Sequence, residues 1–498
     1  MSLKYRITII NSERQKKGQP LLPILKNNEP QSSIYNGRTE WANPKHFIKY
    51  SLNASDLLLF ADAISNRELP IESYSDIAEL IEVPTGQFLH IIYNNTSQNY
   101  KQFQINKKSG GMRTISSPQR GVKVIQERLK AIFDILYRPK LAAHGFILNR
   151  SIQSNAERHV KKKYVVNIDL LDFFDSITFA RIFGLLKSPP FNFGIKAASA
   201  VAQVCTHKGK LPQGGITSPV LSNLIASSLD KKLTSFAKRN NGQYTRYADD
   251  ITFSFNSPPS DKIVNETDGL LSIGEELNSI ISSCGFTVNQ KKFRLQTKKE
   301  RQEVTGLTIN QKVNISKRYI KTTRAMIHGW KKDRQAAAEN FLKLHHKAHR
   351  TPPDNLVEHF RNHIYGRLSF IKMIRGPEFS TYLKMTAHMA SLDAKPTKEG
   401  ARAMKEIEMF DVFLCHASED KESIVFPLYK ALESKGINAF IDSEYIEWGD
   451  SLIGKINNAL AKSKFVIAIL TKNSVIKHWP ATELKSVLAR EGANKFLI

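Results

Sequence analysis

The sequence predicts a multidomain α+β chain that ends in a separate α/β unit. At roughly 100–200 residues per domain, 498 residues allow about three or four units. Charge is divided sharply along the chain. Residues 405–498 hold 12 Lys and Arg against 13 Asp and Glu, whereas the whole chain holds 73 against 46, so residues 1–404 carry 61 against 33, a net +28. From Asp411 onward, apolar strands alternate with helical stretches, which is the pattern of a parallel sheet covered on both faces. The hydrophobic fraction of 41% is enough for several cores. No apolar run approaches the ~20 residues of a membrane span, and the first residues lack the apolar stretch of a signal peptide. Cys205, Cys284 and Cys415 are scattered and lack metal-binding spacing. Reduced thiols, a cytoplasmic location and no membrane partner are therefore expected.

Taken in order, residues 55–65 read as an apolar helix and residues 12–33 as a polar arm. Residues 163–169 form a strand by composition and deliver Asp169 at its end. Residues 211–219 are too rich in Gly and Pro for regular structure. They open a helical pattern over 220–229 and let the backbone and Gln213 approach a ligand closely. Around Tyr247-Ala248-Asp249-Asp250, flanking apolar and β-branched residues predict a hairpin with two aspartates at its tip. Helical patterns over 317–347 and 355–374 flank Pro352-Pro353, and residues 391–400, with Pro396, read as a linker. In the C-terminal unit, a buried strand running into a polar loop is expected over 411–420, and further strands at 437–442 and 464–470. Helices are expected at 423–435, with Val425, Leu428 and Leu432 on one face, and at 451–463. The start of a fourth strand falls at 493–498.

The aspartate pair has a chemical meaning. A turn has no structural need for adjacent like charges, since each raises the cost of ionising the other. A divalent cation removes that cost. Magnesium takes hard oxygen ligands, commonly one or two carboxylates plus substrate phosphates. Asp169, Asp249 and Asp250 are the smallest set here that could hold two such ions, which clamp the attacking and leaving oxygens of a phosphoryl transfer.

In their order, these segments resemble the blocks of a reverse transcriptase. Asp169 to Ile177 matches the first metal block, residues 211–219 the template and nucleotide loop, and Tyr247 to Asp250 the catalytic hairpin. Residues 285–292 match a further block whose lysine, Lys292, approaches the triphosphate and protonates pyrophosphate. Residues 107–115 match the fingers hairpin, where Lys107 and Arg113 bind phosphates. The resemblance implies a right-hand polymerase using dNTP and two Mg2+ ions. It also makes Phe174 a steric gate against the ribose 2′-OH and Gln213 part of the nucleotide pocket. Two further segments resemble motifs of bacterial retron enzymes: Asn155-Ala156-Glu157-Arg158-His159 and Val304-Thr305-Gly306. They imply that Asn155, Ala156, His159, Val304, Thr305 and Gly306 serve a cognate noncoding RNA, which is copied into a branched RNA–DNA product (msDNA). The arm at 12–33 is then expected to order on RNA.

Cys415-His416-Ala417-Ser418, the loop from Glu444 to Asp450, and His478-Trp479-Pro480-Ala481-Thr482-Glu483 resemble a TIR domain of flavodoxin-like α/β fold. Bacterial members commonly cleave NAD. The resemblance places Glu483 as the catalytic glutamate and Ser418, Asp442 and Trp479 around NAD. It stops short of the further strand and helix of a complete TIR domain. The expected domains are an N-terminal helical region and arm (1–70), fingers and palm (71–310), a helical thumb (311–390), a linker (391–408) and the TIR part (409–498). The implied biology is antiphage defence, in which the RNA–DNA product restrains the TIR part until infection; TIR domains also assemble into homo-oligomers. Two other readings stay open. One is an intron-type bacterial reverse transcriptase, and the other is a TIR part that binds and assembles without catalysis.

Overall fold

The structure, a computed structural model, describes residues 2–25, 50–94, 99–106, 110–267, 269–345, 353–407, 411–435, 437, 439–441, 463, 465–469, 471–473 and 496–497. It divides into two compact units, Met1–Ser316 and Lys317–Ile498.

The first unit begins with α1 (Leu3–Lys16), α2 (Ala54–Ser65), α3 (Tyr74–Leu80) and α4 (Thr85–Leu89). A hairpin of β1 (Tyr100–Asn106) and β2 (Met112–Pro118) follows, then α5 (Arg120–Leu136) and α6 (Ile152–Glu157). Next come β3 (Tyr164–Leu171), α7 (Phe179–Lys187), α8 (Ile195–Cys205), α9 (Ser218–Arg239), β4 (Gln243–Tyr247) and β5 (Asp250–Phe255). The unit ends with β6 (Val264–Thr267), β7 (Leu270–Ile273), α10 (Glu275–Ser283), β8 (Thr287–Val288), β9 (Arg294–Thr297), β10 (Glu303–Val304) and β11 (Leu307–Thr308).

Local sequence explains several of these elements. Asn53 with Asp56, and Ser73 with Asp76, form capping boxes that satisfy the first amides of α2 and α3. Pro219 stands in the first turn of α9, where its missing N–H costs nothing. Helix α5 buries Val122, Ile125, Leu129, Ile132, Phe133 and Leu136 along one face, the stripe expected of a helix laid on a core. Strand β3 lies at the centre of the main sheet. It pairs with β5, which pairs with β4; on its other side it pairs with β9 and β8, and all of these pairings are antiparallel. Burial on both faces explains its apolar run of Val165, Val166, Ile168 and Leu170.

Two expectations need correction here. Residues 12–16, read as part of a polar arm, close helix α1. Leu3 and Ile7 bury that helix in the core, and Arg14 pairs with Glu68 at 2.6 Å. Leu3, Ile7 and the partly buried Ile10 anchor α1 through its first half, while residues 12–16 expose mostly polar side chains, so that stretch carries no apolar period.

The second unit opens with α11 (Lys317–Lys332), α12 (Arg334–His345), α13 (Leu356–Arg375), α14 (Ser380–Ser391) and α15 (Lys398–Ile407). The expected linker is the second correction, because its later half is helix α15, packed on α14 with Ala403 buried. Pro396 marks the turn between these helices rather than a free tether. The C-terminal part contains β12 (Val412–Cys415), α16 (Phe426–Ser434), β13 (Ala439–Phe440), β14 (Phe465–Ala468) and β15 (Phe496–Leu497). Its sheet is parallel throughout, in the order β13-β12-β14-β15, a doubly wound flavodoxin-like arrangement. Val425 is buried against it, with Leu428 and Leu432 partly buried alongside. The expected helix at 451–463 falls largely outside the described residues. Among the described residues, no helix is long and apolar enough to cross a membrane.

Candidate active site

Adjoining strands bring the three aspartates together. Asp169 on β3 is the register partner of Asp250, the first residue of β5. Leu170 N donates to Asp249 O at 3.1 Å, which ties the turn to β3. Burial, then the neighbouring carboxylates, raises Asp249 above the ordinary carboxylate range and pushes Asp250 up to about 6, although the Asp250 side chain still reaches solvent. Asp169 Oδ1 accepts from Lys292 Nζ at 2.8 Å, and its Oδ2 accepts from Asn289 Nδ2 at 3.2 Å. Lys292 therefore lies at the aspartates themselves. No group of three or more His, Cys, Asp or Glu side chains is already gathered as a metal cage among the described residues. The donor set nevertheless fits magnesium, because its shell is completed by substrate phosphates and water. Burial first and the neighbouring carboxylates second disfavour the ionised forms of Asp249 and Asp250, and a cation offsets both.

A buried brace beneath the turn was not foreseen from the sequence. Arg246 and Asp230 are fully buried and paired, with Arg246 Nη2 to Asp230 Oδ2 at 2.7 Å and Nε to Oδ1 at 2.8 Å. Arg246 Nη1 donates to Asn223 Oδ1 at 3.1 Å and to Ala248 O at 3.0 Å. Tyr244 OH donates to Asp230 Oδ1 at 2.7 Å. Ala248 is held at φ +55°, a costly conformation for alanine, and the guanidinium fixes its carbonyl there. Burial alone would lower the Arg246 pKa, but Asp230 outweighs it and raises the value. A signal was present: Asp230 interrupts the otherwise apolar stripe Ala226, Leu229, Leu233 of α9. A carboxylate on such a face needs a buried partner.

The segment after α5 closes on the same turn. Arg246 N donates to Ala142 O and His144 N donates to Arg246 O, both at 2.8 Å. Gly145 has no side chain for a reason: a Cβ would stand 2.6 Å from Ala248 N.

The nucleotide loop docks on the fingers hairpin. Ser116 N donates to Gln213 O at 2.7 Å. Gly214, at φ +110°, lies so close to β2 that a Cβ would meet Ile115 Cγ2 at 2.8 Å. Fully buried Gln126 accepts from Ile216 N at 2.9 Å, a further anchor that was not foreseen. Phe174 is partly buried, with its ring centroid 5.4 Å from Phe173 and 6.3 Å from Phe146. Arg113 is exposed on β2, and Lys107 lies outside the described residues.

The expected RNA-facing residues of the first additional motif require correction. Asn155, Ala156 and His159 are all fully buried, so they cannot present their side chains to RNA in this structure. His159 Nδ1 meets Ser254 Oγ and its Nε2 meets Thr245 Oγ1, both at 2.7 Å, which joins β4 to β5 behind the aspartates. Burial pushes its pKa down to about 3, so the ring is neutral. Thr305 and Gly306 form the tip between β10 and β11, both at positive φ, while Val304 is buried. Thr305 Oγ1 donates to Ile152 O at 3.4 Å, and α6 packs on β10 and β11. The two additional motifs, distant in sequence, thus meet in space.

In the C-terminal sheet, Ser418 lies in the turn after β12, where its Oγ donates to Glu419 Oε2 at 3.3 Å. Buried Asp420 accepts from Asn473 Nδ2 at 2.8 Å and from Thr471 Oγ1, joining the segments after β12 and β14. Asp442, Trp479 and Glu483 lie outside the described residues.

Comparison with known proteins agrees with this geometry. A reverse transcriptase (RNA-dependent DNA polymerase) family model matches residues 105–309. The retron Mx65 reverse transcriptase of Myxococcus xanthus is 30% identical over 368 residues, which cover 68% of this chain and 79% of the relative. The chain belongs to the retron reverse transcriptases. The retron Ec86 reverse transcriptase of Escherichia coli is 35% identical over 270 residues, 53% of this chain and 80% of the relative. Beyond the polymerase part, this retron reverse transcriptase matches a TIR domain model over residues 412–498. There it is 43% identical over 89 residues to the NAD(+) hydrolase TcpA of Theionarchaea archaeon, 18% of this chain but 27% of that protein. It is also 43% identical over 101 residues to the probable 2′ cyclic ADP-D-ribose synthase TcpB of Brucella melitensis, 20% of this chain and 40% of that one. The likeness to both covers less than half of their length.

Proposed function

We propose that this retron reverse transcriptase copies a partner noncoding RNA into branched msDNA and that its TIR part cleaves NAD in antiphage defence. The register of Asp169 against Asp250, with Asp249 in the adjoining turn, carries the polymerase half. Asp169, Asp249 and Asp250 would hold Mg2+, which supplies a clamp on the attacking and leaving oxygens of the primer hydroxyl and the dNTP. Arg113 and Lys107 neutralise the triphosphate, Gln213 shapes the nucleotide pocket, and Phe174 excludes a 2′-OH. Lys292 donates a proton to departing pyrophosphate; its contact with Asp169 supports this reading. The functional domains are taken as 1–70, 71–310, 311–390 and 409–498, joined through residues 391–408, whose later half is helix α15, and the site of action as the cytoplasm.

For the TIR part, Glu483 stabilises positive charge developing at the ribose carbon that loses nicotinamide. Ser418, Asp442 and Trp479 line NAD. The two TIR relatives are named for NAD chemistry, which supports NAD as the substrate. The RNA–DNA product restrains the TIR parts, which assemble with further copies when infection disturbs it. The deciding experiment is cDNA synthesis by Asp249→Asn with Asp250→Asn on the copurifying RNA. Synthesis is lost while RNA binding persists; continued synthesis refutes the assignment.

A further inference from the structure

A cavity of about 440 Å³ opens beside the segment that closes on the aspartate turn. It is lined by Leu141, His144, Arg150, Ser154, Glu157 and Arg158, and none of these residues takes part in the chemistry above. Its size is in the range of sites that hold small molecules, ~300–1,000 Å³.

Its lining has unused capacity for recognition. His144 is 4% exposed, its Nδ1 meets Ser154 Oγ at 2.9 Å, and its buried Nε2 has no hydrogen-bond partner. Burial, then Arg150 and Arg158, pushes His144 down to about 4, so the imidazole is neutral and offers one donor and one acceptor. Asn155, next in the chain to Ser154, is fully buried, and its amide N and O also lack partners. Buried polar atoms without partners are uncommon, and His144 Nε2, on a residue that lines the cavity, marks a place for a ligand atom. Arg150 is held rigid by the carbonyls of Lys140 and Ala143. Arg158 is exposed, and its guanidinium makes no hydrogen bond or ion pair with the described residues.

The mixture of groups identifies the ligand chemistry. Ser154 Oγ is taken up by Ser151 and His144, so the polar groups left to a ligand are His144 Nε2, the Glu157 carboxylate and the Arg158 guanidinium. A carboxylate and a neutral imidazole together match the donor and acceptor edge of a nucleobase. Arg158 offers a plane for stacking and a charge for the adjoining phosphate. Leu141 on the wall is 78% exposed, an apolar surface of the kind that faces a base. We propose that this cavity receives one unpaired base of the partner RNA, so that Arg158 meets the RNA directly while Asn155 and His159 serve it by shaping the pocket. The proposal rests on the reading that the chain has an RNA partner. It explains how a motif buried in the palm can take part in RNA recognition.

The test uses the full chain and short single-stranded homopolymers of A, C, G and U, with a blunt RNA duplex as reference. Anisotropy measures binding, and extension of a DNA primer on an unrelated RNA template measures the polymerase separately. Wild type is expected to bind at least one homopolymer about tenfold more tightly than another. Leu141→Trp, which fills the cavity, and Arg158→Ala should each abolish that preference while primer extension persists. A preference unchanged by Leu141→Trp overturns the proposal. So does a loss from Arg158→Ala that is equal for every homopolymer and the duplex, which marks surface charge alone. Failure of wild type to extend the primer counts instead against the polymerase reading.

Discussion

The palm and the C-terminal sheet place polar residues at strand ends by different means. In the palm, two aspartates occupy one tight turn between antiparallel strands, opposite a third on β3. Holding them there takes a fully buried ion pair, a buried histidine bridging two strands, and a glycine pressed against the turn. In the C-terminal sheet the strands run parallel, so their ends lie on one edge, where doubly wound folds bind ligands. There Asp420 joins two loop segments through Thr471 and Asn473, without a buried ion pair among the described residues. The charges differ in the same sense: +28 over residues 1–404 against −1 over 405–498. A polymerase must attract a polyanion and concentrate carboxylates around a cation, and both demands strain the fold. A dinucleotide site imposes neither demand to that degree.

The sharpest way to break this contrast is to disable each half alone. Asp249→Asn with Asp250→Asn should lower DNA synthesis by several kcal/mol of activation energy, about a thousandfold or more, with NAD cleavage intact in any assay that bypasses the RNA product. Glu483→Gln should reverse the pattern, losing NAD cleavage by about 10²–10³-fold while synthesis continues. NAD depletion in cells carrying the cognate RNA, measured after infection, reads the second variant. Equal depletion by wild type and Glu483→Gln removes that residue from catalysis, and no depletion by either favours a TIR part that only assembles.

The buried brace comes next in size. Arg246→Met leaves Asp230 buried without its counter-charge, a cost of about 3–5 kcal/mol. Arg246→Met combined with Asp230→Leu should recover most of that stability in denaturant unfolding. It should not recover polymerase turnover, because Ala248 O still lacks its donor. Equal recovery of both would reduce the pair to a packing feature.

A smaller effect is expected at the nucleotide pocket. Phe174→Ala should relax discrimination against ribonucleotides by about tenfold to a hundredfold, read as the ratio of kcat/KM for dNTP and NTP. An unchanged ratio transfers the gate to another residue.

The smallest effect concerns pH. Asp250 titrates near 6 in the folded chain against an ordinary 3.8. A raised value means that protonation favours the folded state. This stabilisation is complete below 3.8 and disappears as pH rises through about 6. Without metal, the thermal midpoint of wild type should therefore decline relative to Asp250→Asn across that window, and Mg2+ should offset the decline above it. Solvent access at Asp250 screens the effect. A flat difference between the two proteins would show that the carboxyl is not perturbed.

Much of this architecture was legible because the signals are local. The Tyr247-Ala248-Asp249-Asp250 hairpin, the Gly- and Pro-rich loop before α9, and the apolar strands β3, β12 and β14 all depend on near neighbours in the chain. Their periods, turn residues and adjacent charges express constraints that operate over a few residues. Helix α1 and the helical half of the expected linker were not legible, since they gain stability from distant partners such as Glu68 and α14. Only the tertiary structure paired Arg246 with Asp230 and turned His159 inward onto Thr245 and Ser254. It also brought α6 against the Thr305-Gly306 turn and left a cavity between Leu141 and Arg158. The reason is physical: a charged or polar residue reads the same in sequence whether it meets water or a buried partner, and only the packed fold decides which.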